Sequence, residues 1–214
     1  AQQTTTASRV VLEFVYCGPV LKSHNIDIID EKGETLPARH VGEIRFRGPS
    51  VTGCYLDNPE ATEKTFSPRG LLTGDLGYLA EGELYVTGRK KDLIILNGRN
   101  YDPQSIEWAT AEVPNVRPGC VVSFSVNGTE TEELVVVAER KPEADIESLQ
   151  VAIRDRIKTA LFLNPSDIVI LDKGLLPKTT SGKLQRAKTR EQYLNGGLGG
   201  EGVRTVGQHA KAAN

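Results

Sequence analysis

The stretch GRKKDLIILNGRNYDPQSIE, residues 88–107, is where the chain changes character. A charged segment, Arg89-Lys90-Lys91-Asp92, gives way to the apolar run Leu93-Ile94-Ile95-Leu96 and then to the turn Asn97-Gly98. Asp102 followed by Pro103 supplies an N-cap and a first helical position, because the carboxylate accepts an orphaned backbone N–H and proline has none to lose. Ile106, Ala109 and Val113 then recur at helical spacing until Pro114 ends the helix. A domain boundary is expected after Gly88, with residues 1–88 and 89–194 on either side.

Upstream, short apolar or alternating runs are separated by Gly, Pro, Asn and Asp: Val10–Val15, Ile26–Ile29, Ile44–Phe46 and Leu84–Val86. This is β-rich sequence, and Glu31-Lys32-Gly33-Glu34 and Ala80-Glu81-Gly82-Glu83 have the composition of hairpin connections. Downstream, Cys120–Val126 and Leu134–Glu139 flank the polar tip Asn127-Gly128-Thr129-Glu130. Ile146, Leu149, Ile153, Ile157 and Leu161 mark an amphipathic helix that stops before Asn164-Pro165. Ile168–Leu171 reads as a strand and Leu184–Leu194 as a basic helix. The order β-α-β-β-α-β-α from Leu93 describes a small α+β domain, and the glycine-rich residues 195–214 read as a flexible tail.

The chain has 214 residues, 38% hydrophobic and 25% charged, enough for one large or two small cores. A formal net charge of -2 provides no basic field for nucleic acid or an anionic membrane, so any anion site must be local. Three scattered cysteines, Cys17, Cys54 and Cys120, and three histidines argue against a disulfide framework or a structural zinc site. No signal peptide and no run of about 18 apolar residues is visible, so a cytoplasmic chain is expected. The absence of methionine suits either processing or a piece of a longer protein.

The segment LPKTTSGKLQR, residues 176–186, invites comparison with a phosphate-binding G-x-x-x-x-G-K-S/T loop. Pro177 stands where the first glycine belongs and Leu184 where a magnesium-binding hydroxyl is needed, so it is a different device. What remains is a flexible Thr-Thr-Ser-Gly turn presenting Lys183 ahead of a basic helix. Leu72-Thr73-Gly74-Asp75-Leu76-Gly77 reads as a turn whose carboxylate could accept two hydrogen bonds from a vicinal diol. Each segment alone is an ordinary surface feature.

Together and in this order they resemble the adenylate-forming superfamily of acyl-CoA synthetases, peptide-synthetase adenylation domains and luciferases. The resemblance covers about Cys17 to Leu194. It is carried by GEIRFRGPSVTGCYLDNPEATEKTF (residues 42–66), LLTGDLGYL (71–79), residues 88–107, LFLNPSDIVILDKGLLPKTTSGKLQR (161–186) and the basic helix that follows. Within that superfamily, LNGRNYDPQSIE is more similar to fatty acyl-AMP ligases than to fatty acyl-CoA ligases.

The resemblance implies an α+β architecture in which the β-rich end of a large domain, a barrel remnant, precedes a mobile small domain. It implies that Asp75 and Arg89 contact the ribose side of ATP, that Lys91 is the hinge, and that Gly98 approaches a phosphopantetheine channel. Lys183 is implied to be catalytic, bridging the attacking carboxylate and the α-phosphate during adenylation. The cofactors implied are ATP and Mg, with the Mg ligand, pyrophosphate loop and acyl tunnel expected upstream of this sequence. The implied activity is fatty acid plus ATP to acyl-adenylate and pyrophosphate, then transfer to an acyl carrier protein, with this piece alone inactive. The alternatives are an acyl-CoA ligase, an amino-acid adenylation domain, or a non-catalytic carrier-protein docking module. An isolated piece would also leave apolar surface uncovered, which leaves a dimer open.

Overall fold

The computed structural model describes residues 14, 16–128 and 131–198. The chain divides into two compact units, one ending at Asp92 and the other resuming at Leu93. Most of the expected Val10–Val15 strand lies outside the described residues.

The first unit contains β1 (Tyr16–Pro19), β2 (Asn25–Ile29), β3 (Gly42–Arg47), α1 (Pro59–Thr65), β4 (Phe66–Ser67), β5 (Gly70–Ala80) and β6 (Glu83–Arg89). The strands form an open antiparallel sheet in the order β1-β6-β5-β3-β2, with β4 paired to β5. Glu81 and Gly82 both take left-handed backbone angles, and Ala80 pairs with Glu83, so a two-residue turn closes the β5–β6 hairpin. Helix α1 went unread in the sequence although its start is well marked. Asn58 accepts the Ala61 N–H at 3.0 Å and Pro59 begins the first turn.

The segment 72–77, read as a turn, is part of the long strand β5. The turn-like residues form a bulge inside it: Glu43 of β3 lies opposite Leu76 and Arg45 opposite Leu72, so Thr73, Gly74 and Asp75 all stand against Ile44. Gly74 supplies the left-handed φ of 71° that such an excursion needs.

The second unit begins with β7 (Ile94–Leu96) and β8 (Arg99–Tyr101), a hairpin around Asn97 and Gly98. It continues with α2 (Pro103–Ala111), β9 (Val116–Asn127), β10 (Glu132–Arg140), α3 (Ile146–Leu161), β11 (Asp167–Leu171) and α4 (Arg186–Leu194). Strand β8 is the addition to the expected order. Two left-handed residues at Asn97 and Gly98 close a two-residue hairpin, so Leu96 pairs directly with Arg99.

Strands β9, β10 and β11 form one sheet, with β10 antiparallel to β9 and parallel to β11. Alternation across the pleat builds a core on each face. Val121, Leu134, Val136, Ala138, Ile168 and Ile170 join Ile106, Leu149, Ile153 and Ile157 of α2 and α3. Val122, Phe124, Val126, Val135, Val137, Val169 and Leu171 form the other cluster, with Leu176 and Leu198 and with Leu184 and Tyr193 packed against it. A sheet covered on both faces explains the unbroken apolar runs in these strands. Leu198, assigned to the tail, is thus buried; residues 199–214 lie outside the described residues. Among the described residues, no helix is long and apolar enough to cross a membrane.

Candidate functional site

In the first unit the bulge of β5 brings Asp75 opposite Arg89 of β6, and the Asp75 Oδ1 to Arg89 Nε distance is 2.9 Å. The carboxylate's position is set from behind. The Thr73 hydroxyl donates to the Ile44 carbonyl at 2.8 Å and accepts the Asp75 N–H at 3.1 Å, fixing the excursion on both sides of Gly74. The Asp75 side chain is 32% exposed and that of Arg89 56%, so acceptor and donor face solvent side by side. A cavity of about 390 Å³, lined in part by Tyr55, Lys64, Leu72, Thr73 and Gly74, opens beside the same bulge. Lys91 is exposed in the 3₁₀ turn Lys90–Asp92, where the first unit ends, while Lys90 is tied to Glu43 at 2.7 Å.

In the second unit Gly98 occupies the tip of the β7–β8 hairpin with φ of 72° and open space where a Cβ would point. Lys183 lies on another hairpin, between the end of β11 and α4. The Thr-Thr-Ser-Gly turn read as flexible is closed by a set of hydrogen bonds. The Thr179 N–H donates to the Lys183 carbonyl at 2.8 Å, and the Thr179 hydroxyl accepts the Lys183 N–H at 3.0 Å. Gly182, with φ of 83°, donates to the Thr179 carbonyl at 2.9 Å, and the Gln185 N–H donates to the Pro177 carbonyl at 3.0 Å. Both backbone groups of Lys183 are therefore held by Thr179, while the side chain is exposed.

The stems of this hairpin are pinned as well. Leu176 is buried and Leu184 packs on the same apolar cluster. Glu139, fully buried and paired with Arg117, accepts the backbone N–H of Gly174 at 2.9 Å and of Leu176 at 3.0 Å. Such a carboxylate satisfies loop donors that burial would otherwise strand. Helix α4 begins at Arg186, two residues later than expected, because Leu184 and Gln185 belong to the hairpin.

The basic residues of α4 serve the edge of the sheet. Among the described residues no strand pairs with β9 on its outer side, so its outward carbonyls need donors. Arg186 Nε donates to the Ser123 carbonyl at 3.1 Å and Arg190 Nε to the Ser125 carbonyl at 2.9 Å. Four helical residues rise about 6 Å and two strand residues about 6.8 Å, so the two spacings match. Glu107 of α2 completes the edge, accepting the Ser123 N–H at 2.9 Å and Arg186 Nη2 at 2.8 Å. Burial pushes the Glu107 carboxyl above the usual carboxylate range, against the pull of the Arg186 guanidinium. Neither Glu107 nor Thr179 stands out in the sequence, although Glu107 closes the block 88–107 and Thr179 lies inside the block 161–186. Among the described residues, no group of three or more His, Cys, Asp or Glu side chains is placed to hold a metal ion.

The fold is that of adenylate-forming enzyme domains. The structure of McyG A-PCP complexed with phenylalanyl-adenylate matches with a TM-score of 0.77 and 32% identity, over 86% of this chain and 34% of that one. A structure from work on fatty acyl-adenylate ligases of E. coli and L. pneumophila matches with a TM-score of 0.75 and 34% identity, over 92% of this chain and 35% of that one. In sequence, the chain is 39% identical over 193 residues to a Caulobacter vibrioides protein named "Putative acyl-CoA synthetase", covering 87% of this chain and 33% of the relative. No protein-family model matches. Over most of its length the chain is similar to adenylate-forming enzymes, and it spans about a third of the length of the curated relatives it matches.

Proposed function

We propose that the chain is the C-terminal part of a fatty acyl-AMP ligase. The complete enzyme would join a fatty acid to ATP, releasing pyrophosphate, and then pass the acyl group from the adenylate to the thiol of an acyl carrier protein in the cytoplasm. The observation that carries this reading is Lys183, an exposed ammonium whose backbone is locked at both polar groups by Thr179. A lysine so presented suits delivery of charge to a nucleotide held by other residues.

In the adenylation step a carboxylate oxygen attacks the α-phosphorus and the bond to pyrophosphate breaks. Lys183 would lie between the attacking carboxylate and the α-phosphate, where negative charge gathers, and a preorganised donor there lowers the barrier. Asp75 would accept the ribose hydroxyls and Arg89 would donate on the same side of the nucleotide, roles suited to an acceptor and a donor fork already adjacent at 2.9 Å. Lys91, in the turn that ends the first unit, would be the hinge about which the mobile small domain (89–194) moves, and Gly98 would let backbone approach the phosphopantetheine arm. Mg bound with ATP would neutralise phosphate charge, held by residues outside this sequence.

The test is Lys183→Ala in the complete enzyme. Pyrophosphate release is expected to fall by about 100-fold or more, the loss typical of one positioned donor, with the thermal melt unchanged. Release at the wild-type rate overturns the assignment. The similarity to a protein named as an acyl-CoA synthetase favours CoA as a second acceptor reading. Incubation with fatty acid, ATP and CoA separates the two: acyl-AMP accumulating without acyl-CoA supports the ligase proposed here.

A further inference from the structure

Two sequence blocks far apart in the chain end on charges of opposite sign, Glu107 and Arg186, and the fold joins them. Arg186 Nη2 donates to Glu107 Oε1 at 2.8 Å, with the two side chains only 23% and 15% exposed. The pair closes around one residue of the edge strand: Ser123 gives its N–H to Glu107 at 2.9 Å, and its carbonyl accepts Arg186 Nε at 3.1 Å. Arg186 is thereby fixed to two elements, α2 and β9, that do not belong to the lysine hairpin.

Arg186 is also the first residue of α4, three positions after Lys183. Between them, Leu184 packs into the apolar cluster and the Gln185 N–H closes the hairpin base on the Pro177 carbonyl at 3.0 Å. The guanidinium thus holds the outgoing stem of the hairpin, as Glu139 holds the incoming stem through Gly174 and Leu176. Its Nε is directed to Ser123 and its Nη2 to Glu107, which makes it an anchor of the hairpin.

We infer that Arg186, oriented by Glu107, is a positioning residue that sets where the Lys183 ammonium stands during adenylation. The inference rests on the role proposed above for Lys183. A lysine on a four-carbon stem amplifies any movement of its backbone, and a displacement of about 1 Å from the reacting atoms costs on the order of 100-fold in rate. Arg186→Ala leaves the largely buried Glu107 and the fully buried Ser123 short of a donor, so some loss of stability is expected beside the loss of rate, and Arg186→Lys, which keeps the charge, is the milder change.

The experiment uses the complete enzyme with four variants: Lys183→Ala, Arg186→Ala, Arg186→Lys and the double variant Lys183→Ala/Arg186→Ala. Arg186→Ala is expected to lower kcat for pyrophosphate release about 10- to 100-fold, with KM for ATP and fatty acid within about 2-fold, and Arg186→Lys to recover part of the loss. The double variant is expected to be no slower than Lys183→Ala alone, because a residue acting only through Lys183 has nothing left to lose once the lysine is gone. A general weakening of the fold would instead multiply the two losses. Wild-type kcat in Arg186→Ala, or multiplying losses in the double variant, overturns the inference while leaving the Lys183 assignment intact. Full activity in Lys183→Ala overturns that assignment and this inference with it. If Arg186→Ala melts early, Glu107→Gln, which keeps the size and one acceptor oxygen, replaces it with the same expected non-additivity and the same contrary outcomes.

Discussion

The two units of this chain hold their proposed functional groups in opposite ways. In the second unit, β11 is buried along its whole length, both faces of its sheet are covered, and Lys183 stands on a hairpin stapled to that core at Leu176 and Leu184. In the first unit only Gly77 and Ala80 of β5 are buried, and Asp75 and Arg89 sit on a bulged surface with one exposed ion pair. The contrast teaches where each group's precision comes from. Lys183 borrows rigidity from a packed core through its backbone, whereas Asp75 takes its position from a local irregularity and a threonine behind it.

The largest effect that could break this comparison is on stability. Ile153 of α3 is fully buried between the helix and the sheet. Ile153→Ala removes its outer carbons and leaves a cavity, with an expected loss of about 3 kcal/mol. Ile26 of β2 is only half-buried, so Ile26→Ala should cost about 1 kcal/mol, since less apolar area leaves water there in the first place. Urea unfolding of this chain, followed by hydrogen exchange in each unit, reads both. Equal losses would show that the first unit depends on a core as tightly packed as the second.

A smaller effect sharpens the account of the edge clamp. The folded-state value of Glu107 is raised by burial, with Arg186 opposing. For an acid with a raised folded value, the folded state binds more protons than the unfolded one between the two values. The contribution of Glu107 to stability is therefore fullest below the unfolded carboxylate value, about 4.5, and is lost as pH rises from there through the raised folded value. Glu107→Gln removes this titration, so its stability profile should be flatter than wild type across the same window. Parallel profiles for the two proteins would show that Glu107 titrates normally and that the clamp costs nothing to ionise.

Most of the second unit was legible in the sequence because one signal dominated each element. Asp102-Pro103 marks the start of α2, the three-and-four spacing from Ile146 to Leu161 marks α3, and the apolar runs match β9, β10 and β11. The first unit was harder to read for a physical reason. Gly74 and Asp75 are turn residues by composition, and a bulge uses the same left-handed glycine inside a strand, so periodicity alone could not separate them. The hairpin around Lys183 was misjudged similarly: Thr179, Thr180, Ser181 and Gly182 look flexible until the hydrogen bonds from Thr179 are seen. The Glu107–Arg186 pair joins residues 79 positions apart, and no local pattern announces such a contact.

The smallest expected change in stability accompanies a large change in function, and it tests the comparison from the exposed side. Asp75→Ala removes one half of an ion pair that is open to water, where such pairs contribute about 0–1 kcal/mol. Thr73 still holds the bulge through the Ile44 carbonyl, so the backbone path of β5 should survive. Arg89, left beside an alanine, stays solvated and carries no desolvation penalty. In the complete enzyme the same substitution deletes the acceptor proposed for the ribose hydroxyls, and two lost hydrogen bonds to a charged group predict a rise in KM for ATP of about 100-fold. The pairing of a neutral melt with a weakened nucleotide is what an acceptor placed by local geometry should give. A melt lowered by several degrees with unchanged KM would instead make Asp75 a structural partner of Arg89, and the bulge would then serve the sheet rather than a nucleotide.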